Sequence, residues 1–272
     1  MLTNWEDFYL IILSMVLAVT CLMVLNVIWP ARQRRVHNDI IGWQVSVLGT
    51  IYAVMIGFML YAVWANFQTA EINADGEANA LVNMCRIAEG LPAAQRDAIQ
   101  TSATEYVNVV LKKEWPDMNR GLSGWEDSSI ILGFGRILTN TPVNSFTQQV
   151  SLDHDMEQLS NLTEHRRIRQ LESESMLPNI LWAVLVSGGI ITIVTCCLLG
   201  SENFQLHFVM IFALALLISL VLVAIGDIDR PFQGTVHVSP NAFIRAQDAI
   251  RESNATPHIP PVGVGAHGGT AN

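Results

Sequence analysis

The stretch IIGWQVSVLGTIYAVMIGFMLYAVWANF, residues 40–67, contains no charged side chain and leads directly into the polar middle of the chain. At about 1.5 Å per residue, a helix of this length exceeds the ~30 Å hydrocarbon core of a bilayer. The stretch therefore predicts a transmembrane helix. Its small and hydroxylated residues form a stripe, which we call the small-residue stripe: Ser46, Gly49, Thr50, Ala53, Gly57 and Tyr61. Such a stripe allows two helices to approach closely in lipid.

The composition of the whole chain is that of a membrane protein, with 51% hydrophobic and 14% charged residues. Its apolar residues are concentrated in segments of ~20 residues or more, long enough to span a bilayer. The segments are Phe8–Trp29, Ile40–Phe67, Leu177–Leu199 and Phe204–Ile225. The first lacks the basic N-terminal region and the cleavage motif of a signal peptide, so we expect it to remain in the protein.

The connections between spans one and two and between spans three and four are short, which predicts two antiparallel hairpins. The polar region between the hairpins lacks the alternation typical of strands, so we expect it to be helical. The sequence thus predicts an all-α integral membrane protein with four transmembrane helices and a helical extramembrane domain. The predicted units are 1–67, the first hairpin; 68–176, the helical domain; 177–226, the second hairpin; 227–252, a juxtamembrane segment; and 253–272, a disordered tail.

Prolines divide the polar region into helices. The helix of span two should continue through Gly76 to about Glu89, because a single glycine costs a helix only ~1 kcal/mol. Further helices are expected at Ala93–Lys113, ended by Glu114-Trp115-Pro116, and at Trp125–Thr139 and Ser145–Ser175. After span four, the sequence predicts a strand-like piece at Thr235–Val238 and an amphipathic helix from Pro240.

Charged residues cluster where span four ends, at Asp227, Asp229 and Arg230. The three charges are consistent with a structural ion pair, an interfacial helix cap or a ring at the entry of an ion path. A second group, Arg166, Arg167 and Arg169, leads toward span three. These arginines are expected to contact lipid headgroups, to pair with Glu164, Glu172 and Glu174, or to attract anions.

Several classes of function are disfavoured by the sequence. The net charge of -9 and the lack of a basic patch argue against a nucleic-acid partner. The histidines show no metal-ligand spacing, and the cysteines are expected to be small packing residues, so we expect no metal and no cofactor. Asp227 or Asp229 with Glu77 or Glu114 has no accompanying nucleophile, so we do not expect an enzyme.

Four spans place both termini and the helical domain on one side of the membrane. The arginines near span ends on that side are Arg86, Arg166, Arg167, Arg169, Arg230 and Arg245, against Arg32, Arg34 and Arg35 in the first loop. The excess of positive charge favours the cytoplasm for the domain and the termini. We therefore expect a multi-pass protein of the cell inner (plasma) membrane, with the lipid bilayer as its environment.

Several motifs resemble those of a bacterial family of bestrophin-like integral membrane proteins of unknown function. In the first half of the chain the matching residues are Gly49, Tyr52-Ala53-Val54, Gly57-Phe58, Trp64, Glu77-Ala78, Ala80-Leu81, Arg86 and Leu91-Pro92. Further along they are Glu114-Trp115-Pro116, Arg166-Arg167, Leu177-Pro178, Leu181-Trp182, Asp229-Arg230-Pro231-Phe232 and Gly234. True bestrophins are pentameric anion channels with four spans per subunit and cytoplasmic termini. Their acidic calcium clasp and hydrophobic neck motif are absent from this sequence.

The resemblance implies an oligomeric ion channel. Anions are the expected ions, because bestrophins conduct anions. Four spans are too few to enclose a wide ion path within one subunit. In a homo-oligomer, each subunit would contribute one helix to the lining of that path. The small-residue stripe of span two is the candidate lining. The alternatives are that the stripe packs against helices of its own subunit, and that the protein is a non-conducting scaffold or sensor whose cytoplasmic helices bind a partner.

Overall fold

The computed structural model describes residues 4–122, 129–174 and 176–255, and all regular structure in them is helical. Ten α-helices follow one another along the described chain: α1 Asn4–Ile28, α2 Ala31–Arg34, α3 Asn38–Ile87, α4 Ala93–Val109, α5 Trp115–Asn119, α6 Ser129–Thr139, α7 Phe146–Glu174, α8 Asn179–Cys197, α9 Phe204–Ile228 and α10 Asn241–Ala255. Short 3-10 turns lie at Arg35–His37 and Ala88–Gly90, and a π-helical turn, Val110–Glu114, joins α4 to α5.

Four of these helices, α1, α3, α8 and α9, are long and apolar enough to cross a membrane by length and composition. They overlap the four segments that the sequence predicts as spans, although α1 ends one residue before Trp29 and α8 runs from Asn179 to Cys197 within the predicted Leu177–Leu199. Helix α3 is one continuous helix of 50 residues, so Gly76 lies inside it as expected. A Cβ atom at Gly76 would lie 2.7 Å from the His165 imidazole, so a larger residue here would displace that ring from its place beside Asn73.

Spans one and two are not packed against each other as the predicted first hairpin, whereas α8 and α9 are in contact. Helix α1 lies mainly against α9 and α8, and the main partner of α3 among these helices is α8. On α1, Ser14 hydrogen-bonds to Ser219 of α9, and Ala18 packs in a cluster with Ala215. Small residues on both helices let their backbones approach, so α9 takes the place beside α1 that the sequence assigned to span two.

The two loops on the side opposite the helical domain are joined to each other. The buried Arg34 donates to the carbonyl oxygen of Cys197 at the end of α8 and to the side chain of Asn26. Asn38 and the Gly200 backbone exchange two hydrogen bonds of 2.8 Å each. A guanidinium at the C-terminal end of α8 interacts favourably with the helix dipole. These contacts fix the start of α3 to the turn between α8 and α9.

Helices α3 to α7 and α10 share one apolar core outside the membrane segments. Pro116 does not end the helix there, because α5 begins at Trp115 and the proline lies in its first turn, where no N–H donor is needed. The predicted start of the next helix at Trp125 lies outside the described residues, as does Ser175. Phe243 of α10 is buried in this core, so the segment after span four is part of the domain.

The strand-like piece predicted at Thr235–Val238 is wrong. No strand pairs with it in the described residues, and the amides of Thr235 and Val236 donate to the Asp227 carboxylate instead. The predicted disordered tail also begins too early, because α10 continues to Ala255. Residues 256–272 lie outside the described part of the chain.

Candidate functional site

The small-residue stripe lies on the outside of the subunit. Ser46, Thr50, Ala53, Gly57 and Tyr61 are exposed, and Gly49 is half-buried. A Cβ atom added at Gly49 or Gly57 would meet nothing within 4 Å. The interpretation that the stripe packs against helices of its own subunit is therefore wrong.

The opposite face of α3 makes the contacts within the subunit. Tyr52 is buried against Gly188 and Gly189 of α8, where an added Cβ atom would lie 2.8 Å from the tyrosine side chain in each case. The Tyr52 hydroxyl donates to the carbonyl oxygen of Leu185 at 3.1 Å. The glycines that allow close helix approach in the membrane are therefore on span three, and the stripe on span two is left without a partner in the described chain.

The hydroxyl groups of the stripe are bound to their own helix. Ser46 donates to the carbonyl oxygen of Gly42 at 2.9 Å, and Thr50 donates to that of Ser46 at 2.8 Å. Each hydroxyl oxygen retains its lone pairs for an acceptor role toward the outside. Such a surface can contact a water-filled path or a second helix at little cost, whereas in lipid its polar atoms would gain nothing.

The charged cluster at the end of α9 organises the backbone around it. The Asp229 carboxylate accepts from the Leu177 amide, at 2.9 and 3.2 Å for its two oxygens. The Asp227 carboxylate accepts from the amides of Thr235 and Val236 at 3.1 and 3.2 Å. Within the described residues Arg230 forms no salt bridge, although its charge opposes the burial that raises the pKa of Asp229, and the two carboxylates accept backbone amides as caps do.

A third group of charged residues is buried in the helical domain, and we call it the ionic network: Glu77, Tyr106, Glu114, Arg166 and Arg169. Arg169 donates to both oxygens of Glu77, at 2.6 and 2.9 Å, and to Glu114 at 2.6 Å. Arg166 lies 2.7 Å from the other oxygen of Glu114. The Tyr106 hydroxyl donates to Glu77 at 2.5 Å. Two carboxylates and two guanidinium groups thus balance each other's charge.

The five members of the ionic network come from four different elements of the fold. Glu77 belongs to α3, Tyr106 to α4, and Arg166 and Arg169 lie one turn apart on α7. Glu114 is the last residue of the π-helical turn, and such turns are frequent at functional sites. The rings of Trp115 and Phe243 lie 5.8 and 5.7 Å from the Arg169 guanidinium, which extends the network to α5 and α10.

The protonation states of this network follow from burial and charge. Burial alone would lower the pKa of Arg169, but the carboxylates of Glu77 and Glu114 raise it well above its ordinary value, so the guanidinium stays charged. Burial raises the pKa of Tyr106 well above its ordinary value, and the neighbouring Glu77 raises it further. The phenol therefore stays a hydrogen-bond donor at neutral pH.

The partners of the α7 arginines agree only in part with those predicted from the sequence. Arg167 pairs with Glu164 at 2.7 Å on the surface, as predicted. Arg166 and Arg169 instead point into the core, where Glu77 and Glu114 are their partners, a pairing that the sequence did not predict. The spacing of Leu162, Arg166 and Arg169 at helical intervals is the signal in the sequence, since it places both arginines on the apolar face of α7.

No group of three or more side chains suited to hold a metal ion occurs among residues 4–122, 129–174 and 176–255.

The arrangement of the described helices is similar to that of solved bacterial membrane proteins. Two variants of a bacterial bestrophin homologue from Klebsiella pneumoniae align with TM-scores of 0.65 at 13% and 14% sequence identity, covering 90% of this chain and 99% of theirs. A crystal structure described as a membrane protein gives 0.65 at 13% identity, with coverage of 90% and 99%.

At this identity the likeness to solved structures shows the fold alone. No protein of curated function matches the sequence. The sequence model of the bestrophin-like domain matches residues 12–243, which is most of the chain.

Proposed function

Because the chain belongs to the bestrophin-like domain family, we propose that it is the subunit of a homo-oligomeric ion channel in the cell inner membrane. Its four apolar helices cross the bilayer, and both termini and the helical domain lie in the cytoplasm. The inorganic ion passes along an axis that is shared by the subunits and lined by α3.

The observation that carries this proposal is the exposed small-residue stripe on α3. The most apolar part of α3 is less buried than that of the other three membrane helices, at 6% against 11% to 28%, and Tyr61 is 71% exposed. A polar and small surface in the middle of a lipid-crossing helix is explained if neighbouring copies or water cover it. One such helix from each subunit gives a closed ring, which a single chain with four spans cannot form.

The length of α3 supports the same arrangement. Its 50 residues correspond to ~75 Å of helix, more than twice the hydrocarbon thickness. The ionic network and the apolar core hold its extramembrane half rigidly against α7 and α10. The exposed face of α3 can therefore line a path that continues from the membrane into the cytoplasmic domain.

Cysteine accessibility in reconstituted protein tests this proposal. In a background lacking Cys21, Cys85, Cys196 and Cys197, Thr50→Cys should react with a charged, water-soluble thiol reagent, and the reaction should lower ion flux through liposomes. Leu217→Cys on α9, at a site that is 60% exposed in the subunit, is the matched control and should not react. The mass of the purified particle in detergent should be a multiple of that of the 30.0 kDa chain.

A monomeric particle without ion flux would contradict the channel. An oligomer without flux, in which Thr50→Cys does not react, would instead support the non-conducting scaffold with α3 as a dry subunit interface.

A further inference from the structure

A cavity of about 500 Å³ opens between α1, α8 and α9 at the end nearest the helical domain. None of its lining residues belongs to α3, so it is separate from the small-residue stripe. The apolar part is lined by Leu10, Ile11, Val186, Leu222 and Val223. Its volume lies within the ~300–1,000 Å³ that is typical of sites for small ligands.

The cavity is placed at the boundary between lipid and water. Helix α8 begins just after Pro178 and α9 ends at Ile228, so the polar mouth lies where these apolar helices leave the bilayer. Trp182 lines the cavity, and indole rings prefer the headgroup layer of a membrane. The apolar lining residues are one to three turns deeper. The cavity thus changes from polar to apolar along the same direction as a lipid molecule does.

The mouth of the cavity presents charges of both signs. Asp227, Asp229 and Arg230 all line it. Asp227 accepts from two backbone amides, and Asp229 accepts from the Leu177 amide and the Trp182 side chain. A carboxylate has about four acceptor positions, so further donors can bind. Arg230 forms no ion pair within the described residues. Burial raises the pKa of Asp229, so a cation placed beside it would stabilise its ionised form.

We propose that this cavity binds one zwitterionic phospholipid with a primary amine in its headgroup. The phosphate is held by Arg230, the ammonium by the carboxylates of Asp227 and Asp229, and the adjoining part of one acyl chain by the apolar lining between α1, α8 and α9. Charge complementarity selects this headgroup. The anionic headgroup of a lipid with a net negative charge would face two carboxylates, and Arg230 would be its only cationic partner.

Lipid retention measured by native mass spectrometry tests the proposal. The full chain is purified, delipidated with detergent and incubated with phosphatidylethanolamine or phosphatidylglycerol of identical acyl chains. One phosphatidylethanolamine per subunit should remain bound at a detergent level that removes phosphatidylglycerol. Val223→Trp fills the apolar part and should reduce retention at least ~10-fold. Val209→Trp, on an exposed site near the other end of α9, is the matched control and should retain lipid like the wild type.

A second variant addresses the headgroup. Arg230→Gln should lower the retention of phosphatidylethanolamine ~10-fold with an unchanged oligomer mass, because the phosphate loses its only cationic contact. Equal retention of the two lipids by the wild type, or full retention by Val223→Trp, would overturn the proposal. The readout is bound lipid, so the outcome does not depend on whether the protein conducts ions.

Discussion

Arg169 of α7 binds Glu77 of α3 through two hydrogen bonds, of 2.6 and 2.9 Å, between side chains that are both fully buried and 92 residues apart in the sequence. Parallel bonds of this kind match the planar guanidinium to the carboxylate and fix the relative position of the two helices. Since α3 continues into the membrane as one helix, this pair ties the membrane part to the core of the helical domain.

Removing one member of this pair should destabilise the protein strongly. Arg169→Ala leaves Glu77 buried without its cation, which typically costs about 3–5 kcal/mol. We expect a large drop in melting temperature of the detergent-purified protein, or loss of the folded protein. Arg167→Ala on the same helix removes an exposed pair with Glu164 and should leave the melting temperature close to that of the wild type, because solvent screens exposed ion pairs. Equal melting temperatures for the two variants would show that the network does not stabilise the domain.

The buried Asp155 should make the stability of the domain depend on pH. Within the described residues neither of its carboxyl oxygens has a hydrogen-bond partner, and burial raises its pKa to about 7 from an ordinary value of 3.8. A raised pKa means that the folded state favours the protonated form. The contribution of this group to stability is therefore full below pH ~4 and is lost as the pH rises through ~7.

Asp155→Asn removes this titration while keeping the shape of the side chain. We expect the variant to melt at least ~4 °C higher than the wild type at pH 8, with a difference that shrinks toward pH 5. Asp153→Asn, an exposed site on the same helix, provides the comparison and should follow the wild type at every pH. A constant difference between Asp155→Asn and wild type from pH 5 to pH 8 would argue against the titration.

Replacement of Gly57 by leucine should affect assembly or conduction and leave the subunit fold intact. A side chain at this position meets open space in the subunit, so no contact within the chain is lost. If the stripe packs copies together, Gly57→Leu lowers the fraction of oligomer in size-exclusion chromatography. If the stripe lines the path, the oligomer persists and flux falls.

Gly188→Leu is the matched comparison for Gly57→Leu. Its added side chain would collide with the Tyr52 ring, so we expect loss of folded protein. A Gly57→Leu protein with wild-type yield, oligomer mass and flux would place the stripe against lipid.

The orientation of the protein can be measured with single cysteines in a cysteine-free background. Leu122→Cys in the helical domain, at a site that is 56% exposed, should not react with an impermeant thiol reagent in intact cells. Val36→Cys in the first loop, where the side chain is 81% exposed, should react from outside. The reverse pattern would place the domain outside the cytoplasm.

The acidic residues on the exposed face of α3 should influence which ions pass. Glu71 and Asp75 are exposed and lie one turn apart beyond the membrane part of the helix, next to the proposed path. Glu71→Lys should shift the permeability ratio toward anions by ~5-fold or more, which corresponds to about 1 kcal/mol per charge near water. The reversal potential in a salt gradient measures this ratio, and Glu105→Lys on α4 is the control. An unchanged reversal potential for Glu71→Lys would show that Glu71 does not lie next to the ion path.

The membrane character of the chain, its four apolar helices and the continuity of α3 through Gly76 were all predictable from the sequence. These features depend on local properties, namely the length of uncharged runs and the absence of a helix breaker, and the lipid bilayer makes such properties decisive. The break predicted at Pro116 was wrong, because a proline in the first turn of α5 needs no N–H partner. The position of Pro116 relative to that turn depends on the preceding π-helical residues.

The contacts between distant segments were decided by the tertiary structure. The sequence contains Glu77, Glu114, Arg166 and Arg169 as separate charges, and only the packing of α3, α7 and the π-helical turn around one core brings them within hydrogen-bond distance. The same applies to the membrane, where α9 rather than α3 lies beside α1, and where Gly188 rather than Gly57 allows the close approach. Hydropathy determines that a helix enters the bilayer, but it does not determine the neighbour. Lipid tails are as apolar as the helix surfaces, so association depends on the shapes of the facing surfaces.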